Sequence, residues 1–399
     1  MACRSCHQPD LELILSLGRV PLANALLTAE ELETPAQEFP LDLAFCPRCA
    51  LVQILETVPP ETLFREYLYF SSYSDTMLRH SREHATRLIK DEGLGRDSLA
   101  LEIASNDGYL LQYFVEAGVP VLGVEPARNI ARVAEQRGVR TLSEFFTREL
   151  AATLPKADVV IANNVLAHVS DLNGCVEGIR TVLKPGGVAT IEVPYVKEMV
   201  ERCEFDTIYH EHLCYFSVTS LDALFSRHGL VLDRVERLSI HGGSLLLFVR
   251  HTATERTTVD ALLAEEAGWG AHRKSYYRMM AHRVVGMRES LKSLLAELKD
   301  EGARIAAYGA AAKGTTLLNC FKIGPDVVDY VVDRSPYKQG RFVPGVRLPI
   351  AAPERLLSDQ PDYVLLLAWN FADEIMAQQA EYRKRGGKFI LFVPELRVV

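Results

Sequence analysis

The sequence predicts an α/β protein in three parts: a small metal-stapled N-terminal module, then two units in which parallel strands alternate with crossover helices. Three observations carry this prediction. Two Cys-x-x-Cys pairs lie close to the N-terminus, strand-length and helix-length apolar patterns alternate from about Leu99, and a second alternation begins after Gly302.

At 399 residues the chain exceeds an ordinary single domain, and its 48% hydrophobic content fills several cores rather than one. A net charge of -8 provides no basic field for gripping a phosphate backbone, which argues against a general nucleic-acid binder and favours a small, locally contacted substrate. The first residues lack the charged and apolar regions of a secretory leader, and no apolar run approaches the roughly 20 residues that span a bilayer. The expectation is a cytoplasmic protein, a monomer or small homo-oligomer, with neither membrane nor nucleic acid as partner.

Residues 1 to about 60 are rich in proline and turn residues, with apolar runs at Leu11–Leu17 and Leu41–Phe45 that read as strands. That is too little apolar sequence for an independent core. Helical periodicity from about Met77 to Ile89 precedes a short buried strand at Leu99–Ala104. Val121–Val124, Val159–Ile161 and Val188–Glu192 read as further strands, with helix-length segments between them. Leu230–Leu238 and Ser244–Arg250 read as a closing antiparallel pair around a turn at Gly242-Gly243. Long helical periodicity over Thr258–Lys299, broken around Gly268 and Gly270, marks a boundary. Beyond it, Ile305–Tyr308, Val327–Val332, Tyr363–Leu367 and Lys388–Phe392 read as parallel strands. The expected divisions are residues 1–65, 66–255 and 256–399.

Cys3-x-x-Cys6 and Cys46-x-x-Cys49 each put two thiolates on one tight turn, suited to sharing a tetrahedral ion. In a reducing compartment such pairs point to metal rather than disulfides. Four sulfur ligands leave no open position for water, so the predicted Zn2+ is structural, and a module without a core depends on it to fold. Cys175, Cys203, Cys214 and Cys320 are scattered and expected to be inert.

Glu102-Ile103-Ala104-Ser105-Asn106-Asp107-Gly108 ends a predicted strand and enters a helix near Tyr109, where open α/β sheets bind ligands. Small residues at Ala104, Ser105 and Gly108 permit close backbone approach, Asn106 lies in the same turn, and Glu102 suits the charged amino-acid part of a cofactor. The next strand ends in Glu125-Pro126, an acid suited to ribose hydroxyls. Nicotinamide enzymes share that logic. Asn163-Asn164-Val165-Leu166-Ala167-His168 after the following strand, with Leu183-Lys184-Pro185-Gly186-Gly187 before the one after, resembles the ordered motifs of class I methyltransferases, although the first turn lacks their usual Gly-x-Gly. The resemblance implies S-adenosylmethionine as cofactor, held around Glu102, Ala104, Asn106, Gly108, Glu125, Pro126, Asn163 and Asn164.

Tyr209-His210-Glu211-His212 follows the strand at Val188–Val193, concentrating acid and base groups in a loop that opens on the cofactor crevice. Imidazole beside carboxylate tunes a proton-abstracting pKa, and a nearby phenol holds or donates a proton. The alternatives are ordinary polar loop residues or a second metal site, though the spacing does not match the metalloprotease motif. Glu66-Tyr67-Leu68-Tyr69-Phe70-Ser71-Ser72-Tyr73-Ser74 reads either as a lid over the site or as an edge strand.

The paired cysteines, Tyr67-Leu68-Tyr69-Phe70-Ser71-Ser72, Ser105-Asn106-Asp107-Gly108, Tyr209-His210-Glu211-His212 and Gly309-Ala310-Ala311-Ala312-Lys313-Gly314 together, over essentially the whole chain, resemble the sugar C-methyltransferases of deoxysugar biosynthesis, typified by the tetronitrose and mycarose 3-C-methyltransferases. The resemblance implies a zinc-binding module, a class I methyltransferase domain with a Rossmann-like sheet, and a C-terminal Rossmann-like domain that helps hold a nucleotide sugar. It implies C3 methylation of a nucleoside-diphosphate 4-keto-deoxysugar, most often the thymidine diphosphate form. His212 maps onto the family's proposed base, with Glu211 and Tyr209 steering the proton and stabilising the oxyanion. Tyr69 (or Tyr67) and His168 map onto further active-site positions.

In the last domain, Gly309 to Lys313 form a small-residue loop and helix start that present backbone N–H groups and one Lys to an anion. Asp333, Lys338 and Arg341 follow the next strand and suit a nucleotide's hydroxyls and phosphates, or are simply solvated loop charges. His241-Gly242-Gly243-Ser244-Leu245-Leu246 lacks the basic residue the resemblance leads one to expect there. Three other functions remain open to the sequence: a nicotinamide-dependent sugar oxidoreductase, a sugar O-methyltransferase, and a zinc module that binds RNA or a protein.

Overall fold

A computed structural model describes residues 2–64 and 70–399, with the side chain of His241 outside the description. The N-terminal module is an antiparallel sheet of β1 (Glu12–Pro21), β2 (Glu38–Phe45) and β3 (Val52–Ile54). Its inward residues, Ile14, Leu41, Leu43, Phe45 and Val52, make an apolar face that the module cannot cover alone. The cover comes from the helix Lys274–Asp300, whose Tyr277 ring lies 5.2 Å from that of Phe45.

The central unit is a seven-stranded sheet. All four residues of β4 (Ala100–Ile103) are buried, as in a strand covered on both faces. The strands β5 (Val121–Val124), β6 (Thr141–Leu142), β7 (Ala157–Asn163) and β8 (Leu183–Pro194) run parallel to it. β8 begins at Leu183, earlier than expected, and takes in Lys184-Pro185-Gly186-Gly187 as an irregularity where the register against β7 shifts. A side chain at Gly187 would stand 2.7 Å from the Asp158 carbonyl, so the close strand pairing requires glycine there.

After β8 the chain leaves this sheet and lays β9 (Cys214–Tyr215) antiparallel on β3, completing the N-terminal sheet in the order β1-β2-β3-β9. It returns through β10 (Val231–Leu238) and β11 (Ser244–Arg250), the expected antiparallel pair, giving the order β6-β5-β4-β7-β8-β11-β10. Glu266, on the helix Thr257–Trp269, is fully buried and accepts backbone N–H groups of Val218 and Thr219 at 2.7 Å each and the Tyr195 hydroxyl at 2.9 Å. It thereby caps the helix Val218–Arg227 from outside. The break between the two long helices falls at Gly270, left-handed at φ 88°, while Gly268 stays inside the first.

The C-terminal unit comprises β12 (Ile305–Tyr308), β13 (Val331–Val332), β14 (Ile350–Ala351), β15 (Tyr363–Leu366), β16 (Lys388–Leu391) and β17 (Arg397–Val398). Their order is β14-β13-β12-β15-β16-β17, parallel except for β17. β13 is shorter than expected because the N–H groups of Val327 and Val328 turn back on the Gly324 carbonyl. One apolar cluster runs through all three parts, with Phe205 of the central unit stacked on Phe321 of the C-terminal one at 4.7 Å. No helix among the described residues is long and apolar enough to cross a membrane.

Candidate active site

The four N-terminal cysteines come together: Cys3 and Cys49 sulfurs are 3.6 Å apart, Cys6 and Cys46 sulfurs 3.5 Å, and all four lie within 4.8 Å of one another. A disulfide needs about 2.05 Å. Four Zn–S bonds of about 2.3 Å set sulfurs roughly 3.8 Å apart, so the site fits a tetrahedral zinc. The second pair sits on the turn between β2 and β3, closed by hydrogen bonds from Cys46 N–H to the Leu51 carbonyl and from Ala50 N–H to the Cys46 carbonyl, both 2.9 Å.

A cavity of about 640 Å³ opens at the carboxyl ends of the central parallel strands and is walled by all three parts of the chain. From the cofactor prediction, Ala104, Asn106, Glu125, Pro126, Asn163 and Asn164 line it. The turn after β4 is left-handed at Ala104 (φ 53°) and Asn106 (φ 48°), which exposes backbone to the cavity. Glu125 Oε2 accepts the Asn106 N–H at 2.9 Å and Oε1 the Ala127 N–H at 2.8 Å; burial pushes this carboxyl up to about 7. Asn163 Oδ1 is buried without a hydrogen-bond partner among the described residues, an acceptor left for a ligand. Asn164 is fixed by Glu192, which takes its Nδ2–H at 3.1 Å and is paired with His80 at 2.7 Å, holding the His80 pKa above its ordinary value. This donor set fits an adenosine carrying an amino-acid tail.

Two predicted cofactor residues are not on the wall. Glu102 is 1% exposed behind the turn, and burial, then the neighbouring Glu125 and Asp107 charges, hold its carboxyl well above the usual range. Its Oε2 has no hydrogen-bond partner among the described residues. Gly108 (φ 77°) serves the turn, since a Cβ there would lie 2.9 Å from Val139.

Of the residues predicted to be catalytic, Tyr209, His212 and His168 line the cavity. His212 Nδ1 donates to the Thr207 carbonyl at 2.8 Å, which leaves Nε2 as the basic nitrogen, and the Tyr209 hydroxyl donates to Nε2 at 2.8 Å. The His168 ring packs 4.7 Å from His212, and burial lowers its pKa to about 4. Glu211 is 2% exposed, off the wall, and accepts Asn24 Nδ2–H at 2.7 Å. His210 donates from Nε2 to the Pro40 carbonyl at 3.0 Å. Tyr69 and Tyr67 lie outside the described residues; Ser71–Tyr73 form a 3-10 turn rather than an edge strand. That turn is pinned by the Ser71 N–H on Asn106 Oδ1 at 2.9 Å and by Ser72 on Asp107.

In the C-terminal unit, Lys313 and Lys338 reach the cavity. Lys338 Nζ donates to the Ala310 carbonyl at 3.0 Å. Lys313 Nζ lies 4.2 Å over the Trp369 ring; burial lowers its pKa, against the pull of Asp206 and Glu204. Asp333 accepts the N–H groups of Ala310, in the loop after β12, and of Ser335, in its own loop, at 2.9 Å each, and is not on the wall. Arg341 instead reaches the Leu26 carbonyl at 3.4 Å. Gly309 (φ 103°) allows β12 and β15 ends to meet, because a Cβ would lie 2.7 Å from that of Ala368.

Sequence reading missed Asn24, the Phe145-Phe146-Thr147 segment after β6, Glu204 and Asn370, all on the wall. Phe145-Phe146 after a strand was a usable signal, and a polar residue inside the apolar run Pro21 to Leu27 was a fainter one. Burial raises Glu204 to about 7, and Asp206, which accepts Trp369 Nε1–H at 2.7 Å, to about 6.

Three family models match in order: a zinc binding domain over residues 3–64, a methyltransferase domain over 77–235 and a C-methyltransferase C-terminal domain over 239–394. The chain is 37% identical to the C-methyltransferase NovU of Streptomyces niveus over its whole length and 96% of that protein. A methyltransferase of Mycobacteroides abscessus is 29% identical across 24% of this chain and 39% of that one. Among solved structures, the magnesium protoporphyrin IX methyltransferase of Synechocystis PCC 6803 aligns with 43% of this chain and 79% of its own, at 15% identity and a TM-score of 0.34.

Proposed function

This chain belongs to the C-methyltransferase family, and from that premise we propose that it methylates carbon 3 of a nucleoside-diphosphate 4-keto-deoxysugar, most readily the thymidine diphosphate form. Its cofactor is S-adenosylmethionine, and the N-terminal cysteines hold a structural zinc. Family membership sets aside the nicotinamide-dependent oxidoreductase and O-methyltransferase readings. The observation that supports the substrate is a single cavity shared by the Tyr209–His212 pair, the cofactor turn at Ala104 and Asn106, and Lys338 and Asn370 of the C-terminal unit.

When bound, S-adenosylmethionine supplies an electrophilic methyl on a sulfonium. The chain must supply a carbon nucleophile to meet it. The C4 ketone acidifies the proton on C3, and His212 Nε2, its tautomer fixed by the Thr207 carbonyl, takes that proton while the electron pair moves onto the C4 oxygen. Tyr209, released from Nε2 as the substrate enters, donates its hydroxyl hydrogen bond to that oxygen. His168, kept neutral by burial, holds the imidazole of His212 from the side without adding a charge. Glu125 accepts ribose hydroxyls, Asn163 Oδ1 takes a donor of the cofactor's tail, and Lys338 faces the substrate's phosphates.

The test is incubation of the zinc-loaded protein with S-adenosylmethionine and a thymidine-diphosphate 4-keto-deoxysugar. The expected product is heavier by one methylene unit, with the new methyl assigned to C3 by carbon NMR. A methyl on another atom, or no transfer to any 4-keto nucleotide sugar, would overturn the substrate reading.

A further inference from the structure

We infer that Asn24, supplied by the N-terminal module, contacts the substrate in the active site, and that Glu211 is a positioning residue acting through it. This rests on the hydroxyl-bearing substrate proposed above. Asn24 lines the cavity whereas Glu211, behind it, does not. Asn24 Nδ2–H donates to Glu211 Oε1 at 2.7 Å, which sets the amide with its nitrogen toward Glu211. The amide oxygen then lies on the far side of the group, and it makes no hydrogen bond among the described residues. Donating to a carboxyl oxygen draws electron density onto the amide oxygen and strengthens it as an acceptor. The complementary group is a substrate hydroxyl.

The backbone around Asn24 is built to hold this position. Its carbonyl accepts the Leu26 N–H at 2.9 Å, and Leu27 bridges to Phe342 in the C-terminal unit, where Arg341 also takes the Leu26 carbonyl. A short turn clamped at both ends by different parts of the chain keeps a side chain within the tolerance a binding contact needs. Glu211 is equally fixed, because its neighbours His210 and Leu213 are tied to Pro40 and Ile54 of the same module.

The experiment compares full-length, zinc-loaded wild type with N24A, N24D, E211Q and the exchange variant N24D/E211Q, reading KM and kcat for the keto sugar across pH 6 to about 9 and S-adenosylhomocysteine affinity by calorimetry. Loss of one neutral hydrogen bond to substrate should raise KM in N24A by roughly 5- to 10-fold, with zinc content and S-adenosylhomocysteine affinity unchanged. N24D sets a second carboxylate against Glu211, so the pair holds a proton at low pH and its activity falls as pH rises. The exchange variant restores an amide–carboxylate pair with an acceptor toward the cavity, and should recover most of what E211Q loses. Wild-type KM in N24A, or an exchange variant no better than E211Q, overturns the inference while leaving the substrate reading intact. An inactive wild type overturns the substrate reading and, with it, the hydroxyl assigned to Asn24.

Discussion

At His212 the Thr207 carbonyl takes the Nδ1 proton and the Tyr209 hydroxyl meets the other nitrogen, so one tautomer is fixed before any substrate arrives. His212→Asn should lower kcat by about 10²- to 10⁴-fold, the usual contribution of a positioned base, with S-adenosylhomocysteine affinity by calorimetry unchanged. A second residue-scale prediction concerns Glu204. Its carboxyl is raised by burial from 4.5 to about 7, so the folded state holds a proton there that the unfolded chain has already lost. Stability therefore falls as pH rises between those values, by about 3 kcal/mol for that shift. Glu204→Gln should melt at a higher temperature than wild type at pH 8 and close to it at pH 4.5; equal shifts at both would refute the burial account. The run Tyr209 to His212 was legible because its chemistry is contiguous in sequence. Its division of labour was not: Tyr209 and His212 close a turn through a 2.9 Å backbone hydrogen bond, which turns the two residues between them toward the module instead. Asn24 escaped for a different reason, since its partner is 187 positions away.

Among the elements, the long parallel strands and the β10–β11 pair announced themselves by period and length, while β9, β14 and β17 have two residues each and no period to read. Pairing, not propensity, makes them strands. The same holds for the start of the helix Val218–Arg227, where the Ser217 cap is readable locally but the Glu266 carboxylate arrives from another helix. Glu266→Ala should destabilise the protein by roughly 2–4 kcal/mol in denaturant unfolding, because the Val218 and Thr219 N–H groups and the Thr219 and Tyr195 hydroxyls lose their acceptor. A loss below 1 kcal/mol would mean that water reaches the cap. Zinc removal acts on elements too. A bound zinc would tie Cys3 and Cys6 to the β2–β3 turn, Arg4 N–H beside Cys3 donates to the Gln53 side chain at 2.9 Å, and Gln53 pairs with Cys214 on β9. Stripping zinc with a chelator should therefore lower kcat in proportion to metal lost, by mass spectrometry of the metal, well before S-adenosylhomocysteine affinity declines.

Across the whole molecule, three divisions were readable in composition and alternation, but not the cavity walls contributed by each. The buried bond from Trp369 to Asp206 joins the C-terminal unit to the segment that carries the Thr207 carbonyl, and Lys313 Nζ lies 4.2 Å over the same indole. Trp369→Phe should cost about 1–3 kcal/mol in stability by leaving Asp206 without its buried donor, and should raise KM for the proposed keto-sugar substrate more than for the cofactor. A stability loss with equal effects on both KM values would confine Trp369 to packing. The passage of β9 from the central unit into the N-terminal sheet also limits how such proteins can be recombined. A graft that exchanges residues 1–64 between relatives, and leaves residues 204–216 behind, separates each sheet from the strand that completes it. Hybrids made to broaden the range of accepted substrates should inherit those two stretches together, as one discontinuous cassette.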